Sequence, residues 1–108
     1  MLRKTTPNRD DSMKMVIIAY NEAVDEEITE ILKFNSQVEF TKWTKVLGQG
    51  KNSEPHLMTN IWPKANNVLM ACVGDDSAKK ILDGIRELRK TMGHEGVKAF
   101  SLPVDDAT

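Results

Sequence analysis

Apolar positions fall into continuous runs and periodic stripes, and the change from one to the other marks the elements. Residues 15–20, Met15-Val16-Ile17-Ile18-Ala19-Tyr20, form a continuous run rich in β-branched side chains. The run is too short for a helix, which predicts a strand buried on both faces and central in its sheet. From Asn21 the period changes, and Val24, Ile28, Ile31 and Leu32 share one stripe of an amphipathic helix. Asn21 is placed to cap that helix, while Glu22, Asp25, Glu26 and Glu27 suit the positive end of its dipole. A solvated first turn accounts for the acidic cluster at 25–27.

Residues 38–46 alternate in polarity and are rich in β-branched and aromatic side chains, which predicts a half-exposed strand ending before Gly48 and Gly50. Residues 47–66, LGQGKNSEPHLMTNIWPKAN, show no usable period and read as a loop of about twenty residues, a length that is usually functional or disordered. A third strand, residues 68–73, is apolar on both faces and stops at Gly74, after which Asp75 or Asp76 caps a second helix. Its stripe is Ala78, Ile81, Leu82, Ile85 and Leu88, with Arg86, Arg89 and Lys90 near the C-terminus, and it ends near residues 91–93. A last strand, residues 97–102, alternates until Pro103 stops it.

The order βαββαβ predicts an α+β, ferredoxin-like domain: a four-stranded antiparallel sheet with two helices on one face. The other face is left uncovered although residues 68–73 point apolar side chains both ways. Subunits are therefore expected to pack sheet against sheet as a homo-oligomer.

At 108 residues, 40% hydrophobic and 29% charged, the chain supports one core. Residues 1–12 are polar, contain Pro7 and have no period, so they read as a flexible tail before a domain spanning 13–108, with Met13 a candidate start. Fifteen basic and 16 acidic residues give a net charge of -1, so no overall field draws the chain to nucleic acid or to an anionic membrane. No apolar run is long enough to insert in a membrane, and a cytoplasmic protein is expected. Cys72 is the single cysteine, expected as a packing residue within the run 68–73.

Catalytic patterns are missing: no nucleophile stands beside a base, and no P-loop is present. The Gly-rich, arginine-containing loop of acylphosphatases, which share the fold plan, is replaced after strand one by Tyr20-Asn21-Glu22. A non-enzymatic role is expected. His56 and His94, on separate loops, could meet across a subunit interface and take Glu54 or Glu95 as a third metal ligand, or simply be solvated. Trp62-Pro63 is either a lid over the core or an exposed anchor. Gly93 and Gly96 either close the helix or let backbone N–H groups converge on an anion.

Three segments, VLGQGK (46–51), VGDD (73–76) and TMGHEG (91–96), together with element order and length, resemble the PII signalling family, which includes the nitrogen regulatory proteins. The resemblance implies a homotrimer that binds an adenine nucleotide in inter-subunit clefts and acts on a target protein through the long loop. It places Gly48, Gly50 and Lys51 at the loop base and Thr91, Gly93, Glu95 and Gly96 at the phosphates. Val97 stands where the family has a lysine, and Lys98 follows one place later. The family's C-terminal arginines have no counterpart, since Arg89 is the last arginine, and Tyr20, the single tyrosine, is not in the loop. The chain thus resembles a divergent PII relative, its effector of ATP, ADP, AMP or cyclic type. The alternative is a trimeric metal- or small-anion-binding protein of the same fold, in the manner of the CutA proteins, using His56 and His94.

Overall fold

A computed structural model of the chain describes residues 12–37, 39–49, 65–92 and 96–108. The elements are β1 (Met13–Asn21), a 3-10 turn (Glu22–Val24), α1 (Asp25–Phe34), β2 (Thr41–Val46), β3 (Asn66–Gly74), α2 (Asp75–Met92) and β4 (Val97–Pro103). The strands form one antiparallel sheet in the order β2-β3-β1-β4, so β1 is central as its apolar run predicts. Both helices lie on one face, giving the ferredoxin-like plan.

Strand alternation decides which side chains meet the helices. Val16, Ile18 and Tyr20 of β1, Leu69, Ala71 and Val73 of β3, and Val97 of β4 are buried on the covered face. Ile28 and Leu32 of α1 and Ala78, Ile81 and Ile85 of α2 close the core from the other side, on the stripes that the helical period marks. Each fully buried Ile, Leu or Val contributes roughly 1.5–3 kcal/mol. The helices approach closely at Gly84, where an added Cβ would stand 3.0 Å from the Ile31 Cγ2.

Several expectations change. β2 begins at Thr41, with Glu39 and Phe40 preceding the strand and Val38 outside the described residues. Its alternation fails because its register against β3 shifts between Trp43 and Val46, a bulge in which Lys45 takes φ 57°. The Asn21 side chain does cap, accepting from Ala23 N at 2.9 Å, but it caps the short 3-10 turn, and the α-helix starts only at Asp25. Asp75 is the first residue of α2, so Asp75 and Asp76 fill its first turn, and Asp75 pairs with Lys14 at 3.8 Å and Lys79 at 3.5 Å. Cys72 is exposed: it alternates with Ala71 and Val73 and therefore points to the uncovered face. Pro103 lies within β4, tolerated because β4 is an edge strand.

The uncovered face is apolar. Met13, Trp43, Phe100 and Leu102 are 38%, 47%, 53% and 44% exposed, and Met15, Ile17 and Met70 lie half-buried among them.

Candidate functional site

The C-terminal end of β1 and the N-terminal ends of β3 and β4 form one edge of the sheet, and the sequence segments flanking the long loop and following α2 arrive there. Asn21 pairs with Asn66, its N–H donates to Gly96 O at 2.9 Å, and the Glu22 N–H donates to Ala65 O at 2.9 Å. Gly48 lies against Asn66 so closely that an added Cβ would stand 2.6 Å from its Nδ2. A continuous path, Gly48 to Asn66 to Asn21 to Gly96, thus joins the base of the long loop to the turn after α2.

Of the expected phosphate-binding residues, Thr91 is exposed and its hydroxyl donates to Leu88 O at 3.0 Å. Gly96 packs against the Met92 terminal methyl, which a side chain at 96 would displace. Lys98 is exposed opposite Ala19 on the uncovered face, beside Val97, which is buried in the core. Val97 therefore could not be exchanged for a lysine without burying its charge, whereas Lys98 presents its charge to solvent near the same edge. Gly50, Lys51, Gly93 and Glu95 lie outside the described residues, as do His56, His94 and Trp62. The VGDD segment is not part of this edge: Gly74 pairs with Met13 at the opposite end of the sheet. Among the described residues no group of three His, Cys, Asp or Glu side chains could hold a metal ion.

At the same edge, on the helix side, stands a polar cluster that sequence reading missed. Tyr20 is 1% exposed and its hydroxyl donates to Asp25 Oδ1 at 2.5 Å. Lys42 Nζ donates to the two Asp25 oxygens at 3.0 and 3.2 Å, and Asn67 Nδ2 donates to Oδ1 at 3.3 Å. The Tyr20 bond, followed by the Lys42 hydrogen bond and charge, holds the Asp25 carboxyl below the usual carboxylate range against the opposing effect of burial. Burial first, then the bond to Asp25, pushes the Tyr20 phenol well above its ordinary range. Asp25 is thus a satisfied anion that ties β1, β2 and β3 to the start of α1, rather than one residue of a merely solvated turn. The pair of asparagines that opens an otherwise apolar strand, and a tyrosine near the end of another, were the signals available.

A groove of about 480 Å3 opens over this cluster, lined by Glu22, Asp25, Lys42, Thr44, Lys45 and Asn67. Lys45 Nζ lies 3.7 Å from Glu22 Oε1 across it.

The sequence matches no protein-family model and no curated protein. Solved structures do resemble the fold. CPII of Thiomonas intermedia K12, a nitrogen regulatory PII-like protein bound to ADP, AMP and bicarbonate, superposes with a TM-score of 0.64 at 18% identity, covering 89% of this chain and 96% of that one. This chain folds as PII-like proteins do. A protein of Thermus thermophilus described as a PII-like signalling protein gives 0.62 at 21% identity over 87% of this chain and 88% of its own. A functionally unknown protein of Pediococcus pentosaceus gives 0.59 at 14% identity over 91% and 97%. The PII-like fold covers nearly the whole domain, and at these identities the likeness concerns backbone architecture. No helix among the described residues is long and apolar enough to cross a membrane.

Proposed function

We propose that this chain is a PII-like regulatory protein: a cytoplasmic homotrimer that binds an adenine nucleotide in its inter-subunit clefts and acts on a target protein through the long segment between β2 and β3, whose end the structure moves from the expected residue 66 to residue 65 because Asn66 already pairs in β3. The observation that supports it is the meeting of the loop base with the turn after α2, through Gly48, Asn66, Asn21 and Gly96. In a fold shared with CPII, which is bound to ADP and AMP, these are the two segments that the resemblance to the PII family would place at the nucleotide. Gly48, Gly50 and Lys51 form the loop side of the site, and Thr91, Gly93, Glu95, Gly96 and Lys98 the phosphate side. The role is regulatory, not enzymatic.

The apolar uncovered face supports the trimer. Side chains as large as Trp43 and Phe100 are about half exposed in the isolated subunit, and an apolar patch of this kind favours burial against a second copy. Bicarbonate in the CPII structures favours a second, compatible reading in which a small anion acts beside the nucleotide.

Isothermal titration with ATP, ADP, AMP and cyclic AMP, with and without magnesium and bicarbonate, tests the proposal after the oligomer size is fixed by light scattering. Saturable binding near one nucleotide per subunit is the expected result. Gly96→Val abolishes it while leaving the trimer intact. A trimer that binds none of the four nucleotides would leave the anion or His56 and His94 metal reading, and a monomer would remove the inter-subunit site altogether.

A further inference from the structure

The uncovered sheet face gathers sulfur. Strand alternation puts Met13 and Met15 of β1 and Met70 and Cys72 of β3 on this one face. They are three of the four described methionines and the single cysteine of the chain, while the fourth methionine, Met92, packs against the core. The strand register brings them together, with Met15 directly opposite Cys72 and Met13 opposite Gly74. Side chains facing each other across an antiparallel pair have Cβ atoms about 4.5–5.5 Å apart, and diagonal neighbours, here Met13 with Cys72 and Met15 with Met70, about 7–8 Å. A thioether on three rotatable bonds adapts to such a span.

The patch is open and chemically uniform. Gly74 follows Cys72 on the same face, and a Cβ added there would meet nothing within 4 Å, so β3 leaves free space beside the thiol. Cys72 is exposed, Met13 is 38% exposed, and Met15 and Met70 are half-buried, so all four side chains can be reached from solvent. Leu102, which faces Met15 from β4, bounds the patch with hydrocarbon. No group of three His, Cys, Asp or Glu side chains forms among the described residues, so the hard and borderline cations find no complete ligand set here. Thiolate and thioether together select a soft ion, Cu(I).

We propose that the Met13–Gly74 end of the uncovered face is a Cu(I) site, with the Cys72 thiolate and the Met15 thioether as its main ligands and the Met13 and Met70 thioethers completing it. On binding, the S–H bond of Cys72 breaks, its proton passes to water, and the electron pair left on sulfur forms the bond to the ion, which enters and remains as Cu(I). The four sulfurs lie on the central strands β1 and β3 of one subunit, whereas Trp43 and Phe100 stand on the outer strands β2 and β4. None of the four residues belongs to the loop base or to the turn after α2, so the site is independent of the nucleotide reading.

The test is an anaerobic titration of the reduced, full-length protein with Cu(I) held by the chelator bicinchoninate. It is paired with methyl NMR of methionine-labelled protein titrated with Ag(I), which mimics Cu(I) without redox chemistry. The expected result is about one Cu(I) withdrawn from the chelator per subunit, with the methyl signals of Met13, Met15 and Met70 shifting under Ag(I) and that of Met92 unmoved. Loss of even an outer partner of a metal ligand costs about 10–100-fold in affinity, so Cys72→Ser and Met15→Leu should each weaken Cu(I) binding by at least that factor. Cys72 is exposed, so its serine variant keeps the fold; the leucine variant conserves volume and serves as the second probe. Full affinity in either variant overturns the ligand set. Movement of no methionine methyl would mean that the thiol binds alone, as any exposed cysteine can, and failure to withdraw Cu(I) from bicinchoninate would leave the methionines as packing; either overturns the site.

Discussion

Replacing Tyr20 with phenylalanine removes one hydroxyl and almost no volume, so it isolates the bond to Asp25. That bond, at 2.5 Å, joins a phenol that is 1% exposed to an ionised carboxylate. Hydrogen bonds to charged groups contribute about 1.5–3 kcal/mol, and for a domain of this size such a loss lowers Tm by on the order of 10 °C. The pH dependence carries the sharper test. Asp25 titrates below its ordinary value in the folded chain, chiefly because of Tyr20. Its charge therefore stabilises the fold fully above the unfolded value of about 3.9, and this stability is lost as pH falls through the folded value. In Tyr20→Phe the folded value moves back up towards the ordinary one. Urea unfolding of both proteins at pH 7 and near pH 2, at one fixed protomer concentration because association adds stability, should show the full loss at neutral pH. The loss should shrink towards about 1 kcal/mol at acid pH, as protonation of the carboxyl removes the charge that the phenol bonds to. The same loss at both pH values would mean that Tyr20 acts through packing alone and that its bond to Asp25 contributes nothing.

Other substitutions probe the core and the uncovered face. Ile81 is fully buried between α2 and the sheet, and Ile81→Ala should cost about 2–5 kcal/mol in denaturant unfolding. Gly84→Leu forces a side chain into the close approach to Ile31 and should destabilise by about 1–3 kcal/mol, read in the same assay. Phe100→Glu places a charge on a strand position already 53% exposed in the subunit. It should leave the circular dichroism of the fold intact while reducing the proposed trimer to monomer in light scattering. A trimer retained by this variant would show that subunits do not meet through this face.

The periodic segments were legible in the sequence because burial acts on them directly. The stripes Ile28-Leu32 and Ala78-Ile81-Ile85 and the run at 15–20 are where the core is. What escaped reading depends on which partner a residue meets. Cys72 lies in a run that is apolar at every position, and composition cannot tell which of two faces a single subunit covers. The bulge at Lys45 follows from pairing with β3, a contact distant in sequence, so residues 38–46 look like one regular strand until the partner is in place. Asp25 sits among acidic neighbours that all suit a helix start, and nothing local distinguishes the one that Tyr20, Lys42 and Asn67 gather around. The candidate nucleotide segments stand between these cases. Their glycines are visible as punctuation, but the contact of Gly48 with Asn66 and of Asn21 with Gly96 is a property of the sheet edge.

At the far end of the sheet the Val104 N–H donates to Met13 O at 3.2 Å, and Lys14 pairs with Pro103. The domain is therefore entered and left at almost one point, remote from the edge where the loop base lies. Such geometry suits a cassette: the domain could be spliced into a surface turn of an unrelated host, or strung as tandem copies on short tethers, without pulling on the strands.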